Sequence, residues 1–356
     1  MTTSYPRYRT DQSYDFNYDH APEPVEVEVA PVPGEWKFCG LPVDSPLGIP
    51  AGPLLNGRWV LYYASLGFDI LTYKTVRSRH RDCYPLPNLV PVATEQLWGG
   101  EAALPAAGTM GGSWAVSFGM PSKSPEVWRA DVEATRRVLP QGKLLVVSVV
   151  ATEQDGWTLD DLAADYAQCA RWAVDAGADA VETNFSCPNV DTCDGSLYQS
   201  ADSSAAVAAA VREAIGNVPY IIKMGRMTDE AAAQALVEAV EPYVDALAMT
   251  NSIATKVRDA QGQLLFDGQQ RGICGRATLK ASLDQVAMFR RLTERRAKPL
   301  ELIGVGGAAT AQDVVDYLNA GASSVHLATA AMVDPAVGLT IRRELTPLLT
   351  SARPTR

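Results

Sequence analysis

A chain of 356 residues, 47% of them apolar, is long enough to bury one large core, and a single α/β barrel fits this length. Its 41 acidic residues outnumber the 31 basic ones, and the net charge of −10 disfavours nucleic acid or an anionic membrane as a partner. No apolar run approaches the ~18 residues of a membrane span, and residues 1–20 lack the apolar stretch of a secretory signal.

The first segment, residues 1–34, is rich in proline, tyrosine and acidic residues. Such a segment is either disordered or lies along the surface of a folded domain. From Trp36 onward the pattern changes to apolar strands that are followed by helices. We therefore divide the chain into an acidic N-terminal extension, residues 1–34, and a folded domain, residues 35–356.

Eight apolar segments predict β-strands: 47–51, 68–75, 143–150, 178–185, 220–224, 246–250, 302–306 and 324–328. Most are continuous apolar runs, as in strands that are buried on both faces of a parallel sheet. Helical patterns lie between them at 159–176, 203–215, 229–240, 281–296 and 311–320. This alternation predicts a TIM (β/α)8 barrel. The alternative, a doubly wound sheet, lacks its GxGxxG phosphate motif here. A short positive run at 77–81 is expected to be a solvated loop.

Small and polar residues collect where the predicted strands end, which is the catalytic end of a TIM barrel. Along the chain these are Ala51, Gly52, Lys74, Thr75, Asn184, Cys187, Asn251, Ser252, Gly306, Gly307, Ala328 and Thr329, with Lys223 inside the fifth strand. A buried lysine needs a partner, and an anionic or electron-rich cofactor is a suitable one. The loops after strands seven and eight match a phosphate site, with Thr310 available to cap the next helix. Each residue alone also has an ordinary structural interpretation, so the prediction depends on their convergence.

The segment 184–189 carries a thiol and two carboxamides directly after the fourth strand. Cys187 alone could be a small core hydrophobe, but Pro188 ends the strand and favours a thiol at the rim. A disulfide or redox switch with Cys193 is a second interpretation. None of the six cysteines forms a CxxC pair, which predicts no zinc or iron–sulfur site and reduced thiols in a cytoplasm.

Several of these motifs together resemble one family. The segment Asn184-Phe185-Ser186-Cys187-Pro188-Asn189 resembles the N-[LF]-S-C-P-N signature of dihydroorotate dehydrogenases, in particular the soluble class with a cysteine base. Residues 303–307, 320–322 and 328–330 resemble the flavin-phosphate segment of that family. Residues 272–275 resemble its glycine-rich turn, and 119–121 its loop after strand two. The resemblance extends from about residue 38 to residue 335.

The resemblance implies a flavin-dependent oxidoreductase that interconverts dihydroorotate and orotate with FMN. Cys187 is the implied base for the C5 proton, and the C6 hydride goes to flavin N5. Lys223 would stabilise negative charge at the N1–C2 edge of the reduced ring. The implied flavin contacts are Ala51, Gly52, Lys74, Thr75, Asn184, Lys223, Gly275, Gly306, Gly307, Ala328 and Thr329. The implied substrate contacts are Lys74, Ser117, Gly119, Met120, Asn184, Asn189, Asn251 and Ser252.

The sequence also departs from the family pattern. Ser117 stands where the family usually has asparagine, and Ala328 where it usually has glycine. The segment 98–114 and the acidic extension have no counterpart that we can place. A related FMN-dependent desaturase or reductase of another dihydropyrimidine or cyclic amide is therefore an alternative, and a non-catalytic flavin-binding protein is a third. The tRNA dihydrouridine synthases are disfavoured because they need a basic RNA-binding surface.

The second electron acceptor stays open at this point. Fumarate, quinone, oxygen, and NAD through a partner subunit are all compatible with the residues. The resemblance implies a homodimer and a role in pyrimidine metabolism, and the composition predicts a cytoplasmic protein without a metal ion.

Overall fold

Eight parallel strands close into a barrel in the computed structural model, which describes residues 5–186, 196–294, 296 and 299–351. The barrel strands are β1 Leu47–Ile49, β2 Ile70–Val76, β3 Leu144–Val149, β4 Ala180–Asn184, β5 Tyr220–Lys223, β6 Ala246–Met249, β7 Glu301–Val305 and β8 Ser324–His326. Each strand pairs with the next in the chain, and β8 pairs with β1. All eight lie at the segments predicted from the apolar runs, because strands buried on both faces need apolar residues throughout. The TIM barrel prediction is confirmed.

Helices follow the strands and cover the outside of the barrel. They are α1 Tyr14–Asp19, α2 Gly57–Ser65, α3 Pro125–Val138, α4 Leu159–Asp175, α5 Ala201–Ile215, α6 Glu230–Val240, α7 Leu279–Thr293, α8 Ala311–Ala320, α9 Thr329–Val333 and α10 Val337–Ser351. The five predicted helices correspond to α4–α8. Two of them begin with a capping box, Thr158 with Asp161 and Thr310 with Asp313, which satisfies backbone N–H groups of the first turn. None of the described helices is long and apolar enough to cross a lipid bilayer.

An apolar hairpin closes the N-terminal end of the barrel. Its strands, Trp36–Phe38 and Leu41–Val43, pair in antiparallel fashion. Phe38 and Val43 are buried against the apolar side chains that fill the lower barrel interior. That end is therefore a packed core, as is usual in this fold.

A four-stranded antiparallel sheet lies at the opposite end. It consists of Leu89–Pro91, Ser113–Val116, Ile253–Thr255 and Arg271–Gly275. A shorter parallel pair, Leu104–Pro105 with Val257–Arg258, accompanies it. The sequence analysis did not predict these strands, because runs of two to five residues with glycine and proline give little periodic signal. Residues 104, 105, 113 and 114 of the segment 98–114, which had no assigned role, belong to these strands.

The N-terminal extension packs along the outside of the barrel in its described part. Near its start, the hydroxyl of Tyr62 donates to the carbonyl of Pro6 at 2.6 Å. Further along, the indole N–H of Trp59 donates to the carbonyl of Asn17 at 2.9 Å. Near its end, Nε of Arg342 donates to the carbonyl of Ala30 at 2.7 Å. Of the two interpretations of this segment, the surface-bound one describes residues 5–34.

Candidate active site

A cavity of about 460 Å³ opens at the C-terminal ends of the barrel strands. Its size falls within the usual range for ligand sites. Among the predicted site residues, its walls contain Ala51, Gly52, Lys74, Thr75, Met120, Asn184, Lys223, Asn251, Ser252, Gly275, Gly306, Gly307, Ala328 and Thr329. Residues that are separated by more than 200 positions in the chain thus lie around one space. Their placement agrees with the prediction of a single site, while their individual roles stay predictions.

Two lysines contribute positive charge to the cavity wall. Lys223 ends β5 and is almost fully buried, and its Nζ donates to the carbonyl of Ala51 at 3.2 Å. Lys74 is buried on β2, the neighbour of β1. Both side chains line the cavity. A buried ammonium group is costly unless a partner compensates it, and an anionic or electron-rich ligand would be such a partner for Lys223.

Two carboxamides hold the chain at the end of β4. The side-chain oxygen of Asn184 accepts from the backbone N–H of Ser186 at 3.1 Å. The side-chain amide of Asn251 donates to the carbonyl of Ser186. The hydroxyl of Tyr166 donates to the carbonyl of Asn184 at 3.1 Å. Ser186 is therefore fixed from two strands, directly before the predicted base Cys187.

The predicted residues Cys187 and Asn189 lie outside the described part of the chain, as does Cys193. Their predicted roles, and the alternative of a redox pair between the two cysteines, stay predictions.

Two glycines after β7 form a turn that only glycine accommodates. Gly306 and Gly307 both have positive φ, +124° and +75°. A Cβ on Gly307 would lie 2.7 Å from the backbone nitrogen of Leu279, which is too close for any side chain. In the wall of the same cavity, the hydroxyl of Thr329 is buried and has no hydrogen-bond partner among the described residues. A backbone turn that lies open to the cavity, beside an unsatisfied hydroxyl, is suited to an anion such as a phosphate.

The predicted substrate residues Ser117 and Gly119 are not among the described residues that line the cavity, although Met120 is. The hydroxyl of Ser117 accepts from Nε of Arg271 at 2.8 Å. Gly119 has φ +72°, and the ring of Tyr84 lies 2.6 Å from the position of a Cβ. Direct contact of Ser117 and Gly119 with a substrate stays a prediction. A substrate at these positions would compete with Arg271 and Tyr84.

Arg77 was expected in a solvated loop, and this expectation is wrong. The side chain is buried, and its Nε donates to the carbonyl of Met120 at 3.1 Å. Its own carbonyl accepts from the indole N–H of Trp128 at 3.1 Å. Arg77 therefore anchors the loop that brings Met120 to the cavity. A cluster of positive residues in sequence does not distinguish a buried anchor from its exposed neighbours.

The structure adds site residues that sequence reasoning missed. His326, Cys274, Trp114, Phe118 and Tyr8 all line the cavity. A signal existed for His326, a polar residue inside the apolar eighth strand. None existed for Tyr8, because only the path of the N-terminal segment brings it to this end of the barrel.

Burial decides the protonation of two of these groups. It lowers the pKa of His326 to about 3, and the charge of Lys223 acts in the same direction. Burial raises the pKa of the Cys274 thiol to about 11, against the influence of Lys223. At neutral pH both groups are therefore uncharged.

Comparison with known proteins agrees with the geometry. The family model of dihydroorotate dehydrogenase matches residues 35–349. A dihydroorotate dehydrogenase of Dictyostelium discoideum is 30% identical over 94% of this chain and 96% of the relative. A dihydroorotate dehydrogenase (quinone) of Acidovorax sp. (strain JS42) is 26% identical over 83% and 84%. The ligand-free DHODH of Eimeria tenella has the same fold, with a TM-score of 0.75 at 18% identity over 95% of this chain and 93% of that one. The chain belongs to the dihydroorotate dehydrogenase family, and it is an oxidoreductase that acts on a CH–CH bond.

Proposed function

We propose that this chain oxidises dihydroorotate to orotate with FMN as its cofactor, as a step of pyrimidine metabolism. The observation that carries the proposal is the shared cavity. It combines two buried lysines, two carboxamides and a glycine turn at the catalytic end of a barrel whose family acts on dihydroorotate. A flat heterocycle with a phosphate tail and a small anionic ring would each find matching groups there.

The residues present fit FMN. The unsatisfied hydroxyl of Thr329 and the turn at Gly306 and Gly307 suit the phosphate. Lys223 suits the electron-rich edge of the ring. The proposed FMN contacts are Ala51, Gly52, Lys74, Thr75, Asn184, Lys223, Gly275, Gly306, Gly307, Ala328 and Thr329. When bound, FMN supplies the acceptor for the hydride equivalent that leaves the substrate.

The substrate residues of the proposal match the chemistry of a dihydropyrimidine. Carboxamides such as Asn184 and Asn251 pair with the alternating N–H and C=O groups of the ring, and a site of this kind discriminates strongly against analogues that lack them. Lys74 provides positive charge for an anionic substrate. The remaining proposed contacts are Ser117, Gly119, Met120, Asn189 and Ser252.

Cys187 is the proposed base that removes the C5 proton. A thiol has an ordinary pKa of about 8.5, so a small downward shift makes it a competent base near neutral pH. Its chain neighbour Ser186 is fixed by Asn184 and Asn251. These two carboxamides thus support both the substrate ring and the chain that carries the base.

Anaerobic mixing of the flavin-loaded protein with dihydroorotate tests the proposal. We expect loss of the oxidised flavin absorbance and formation of one orotate per flavin. A yellow protein that dihydroorotate does not bleach would contradict the proposed substrate, and a protein that binds no flavin would contradict the cofactor.

A second candidate is an FMN-dependent desaturase or reductase of another dihydropyrimidine or cyclic amide. The hydrogen bond from Arg271 to the hydroxyl of Ser117 favours it, because the resemblance implies that this hydroxyl contacts the substrate. Trp114 on the cavity wall also adds apolar surface beside the polar groups. A panel of dihydropyrimidines in the same bleaching experiment separates the two candidates by their reduction rates.

For the second electron acceptor we propose a lipophilic quinone. The cavity wall includes the large apolar side chains of Tyr8, Leu89, Phe118 and Val337. The Acidovorax relative is named for quinone. Reoxidation of the reduced protein by a short-chain quinone, fumarate, NAD and oxygen is the test, and faster reoxidation by fumarate or NAD than by quinone would contradict the proposal.

We further propose a homodimer that resides in the cytoplasm. Both follow from the family resemblance and the composition. Light scattering of the purified protein tests the dimer, and fractionation of the source cells tests the location.

A further inference from the structure

Three carboxyl groups are buried in the described part of the chain, and one of them differs from the others. Asp69 forms ion pairs with Lys143 and Arg342, both at 2.6 Å, and Asp313 pairs with Arg276 at 2.6 Å. Glu182, on β4, has no ion pair within 4.0 Å among the described residues, and its Oε1 has no hydrogen-bond partner there. A buried carboxylate with an unsatisfied oxygen is costly, so a structural role alone does not explain Glu182.

Hydroxyl groups connect Glu182 to the cavity. Ser148 lies opposite Glu182 on the neighbouring strand β3. Burial raises the pKa of the Glu182 carboxyl, and the Ser148 hydroxyl acts against this rise. The Ser148 hydroxyl lies 3.0 Å from that of Thr75, and either atom can be the donor. Thr75 lines the cavity, whereas Ser148 is fully buried. Glu182, Ser148 and Thr75 therefore lie in series between the barrel interior and the cavity, as a proton path requires.

The charges around Glu182 allow its carboxyl to gain or lose a proton when a ligand in the cavity changes its charge. Lys223 on β5 is the cation that acts on Glu182, and it opposes the rise in pKa that burial causes. His326 on β8 stays neutral above about pH 3, and Lys74 on β2 lines the cavity above. If a ligand gains negative charge beside Lys223, the attraction between Lys223 and the carboxylate is offset. Glu182 then binds a proton more readily.

We propose that Thr75, Ser148 and Glu182 form a proton relay, and that Glu182 takes up one proton from solvent when the cofactor is reduced. The inference rests on the proposed function of the cavity. A hydride equivalent brings two electrons and one proton to the flavin, which leaves one excess negative charge. The second proton, on Glu182, balances this charge, and it returns to solvent when the electrons pass to the acceptor. Glu182 acts on the cofactor through its charge and does not touch the substrate.

The pH dependence of the flavin midpoint potential tests the relay. For a two-electron couple, each bound proton changes the potential by about 30 mV per pH unit, because a tenfold change in an equilibrium constant is about 30 mV. Around neutral pH we expect about 60 mV per pH unit for the wild type and about 30 mV for Glu182→Gln. Equal slopes in the two proteins would overturn the proposal.

Two further variants keep the test decisive if Glu182→Gln does not fold. Ser148→Ala interrupts the path. We expect it to slow proton uptake during rapid reduction by at least tenfold, as measured with a pH indicator. Unchanged uptake would overturn the relay.

Thr72→Val is the matched control, since Thr72 has a buried hydroxyl on β2 without a partner among the described residues. We expect it to behave as wild type. Chemical reduction makes the measurement independent of dihydroorotate, so a wrong substrate and a wrong relay give different results.

Discussion

The two ends of the barrel differ in how many partners their buried polar groups have within the protein. At the N-terminal end, Asp69 accepts from Lys143, Arg342 and Ser45, and the apolar hairpin covers this end of the barrel. At the C-terminal end, the hydroxyl of Thr329 and one oxygen of Glu182 have no partner among the described residues. Both ends bury polar groups: Asp69 has its partners within the protein, whereas one oxygen of Glu182 and the hydroxyl of Thr329 have none among the described residues.

This difference separates stability from function. A fully paired buried cluster stabilises one arrangement of the chain, and removal of one member leaves an uncompensated charge. An unsatisfied buried group destabilises the free protein and gains a partner when a ligand binds. Variants at the two ends should therefore have opposite effects on stability and ligand binding, and the predictions below test this, from the largest effect to the smallest.

The largest effect is expected for Cys187→Ser. A hydroxyl is a far weaker base than a thiol near neutral pH, so flavin reduction by dihydroorotate should slow by at least ~100-fold while FMN stays bound. Cys39→Ser, in the hairpin at the closed end, is the control and should keep the wild-type rate. Stopped-flow absorbance measures both. A rate near wild type in Cys187→Ser would remove this thiol from the mechanism.

Lysines at the two ends give the second test. Lys223→Ala should weaken FMN binding by roughly tenfold or more, about 1.4 kcal/mol, because the site loses one of its two buried lysines. Lys143→Ala should instead lower the free energy of unfolding of the apoprotein by about 3 kcal/mol and leave the FMN dissociation constant nearly unchanged. Fluorescence titration and denaturant unfolding measure the two quantities. The reverse pattern would refute the distinction between the ends.

Buried threonines allow a smaller comparison. Thr329→Val should weaken FMN binding up to ~10-fold without loss of apoprotein stability, since its hydroxyl has no described partner to lose. Thr293→Val removes a hydrogen bond from its hydroxyl to the carbonyl of Phe289 at 2.9 Å, so it should cost about 1 kcal/mol of stability and spare binding. Tight FMN binding in Thr329→Val would exclude this hydroxyl from the phosphate site.

The smallest expected effect is a pH dependence from His326. Its folded-state pKa, about 3, lies below the ordinary value, so in the acidic range only the unfolded chain binds the proton. Stability should therefore fall as pH decreases below about 6.5, by about 0.8 kcal/mol at pH 6 from this group. His326→Gln should show a flatter profile between pH 7.5 and 6 in urea unfolding. Identical slopes would show that the group does not stay neutral in the fold.

The sequence by itself determined the barrel and most of the cavity wall. The eight strands are mainly apolar because both of their faces are buried, and this signal is local. The polar residues at their ends could be assigned to one site because parallel strands share a direction, so their C-terminal ends meet. Gly306 and Gly307 could be assigned to the same site because they follow the seventh strand, and their positive φ values explain why glycine is needed there.

Tertiary structure alone decided what each polar side chain contacts. Ser117 pairs with Arg271, 154 positions away, and Thr75 meets Ser148, 73 positions away. Tyr8 reaches the cavity only because the N-terminal segment runs along the barrel. These contacts depend on the spacing and stagger of neighbouring strands and on the path of loops. Both are set by the packing of the whole chain and leave no local pattern in the residues themselves.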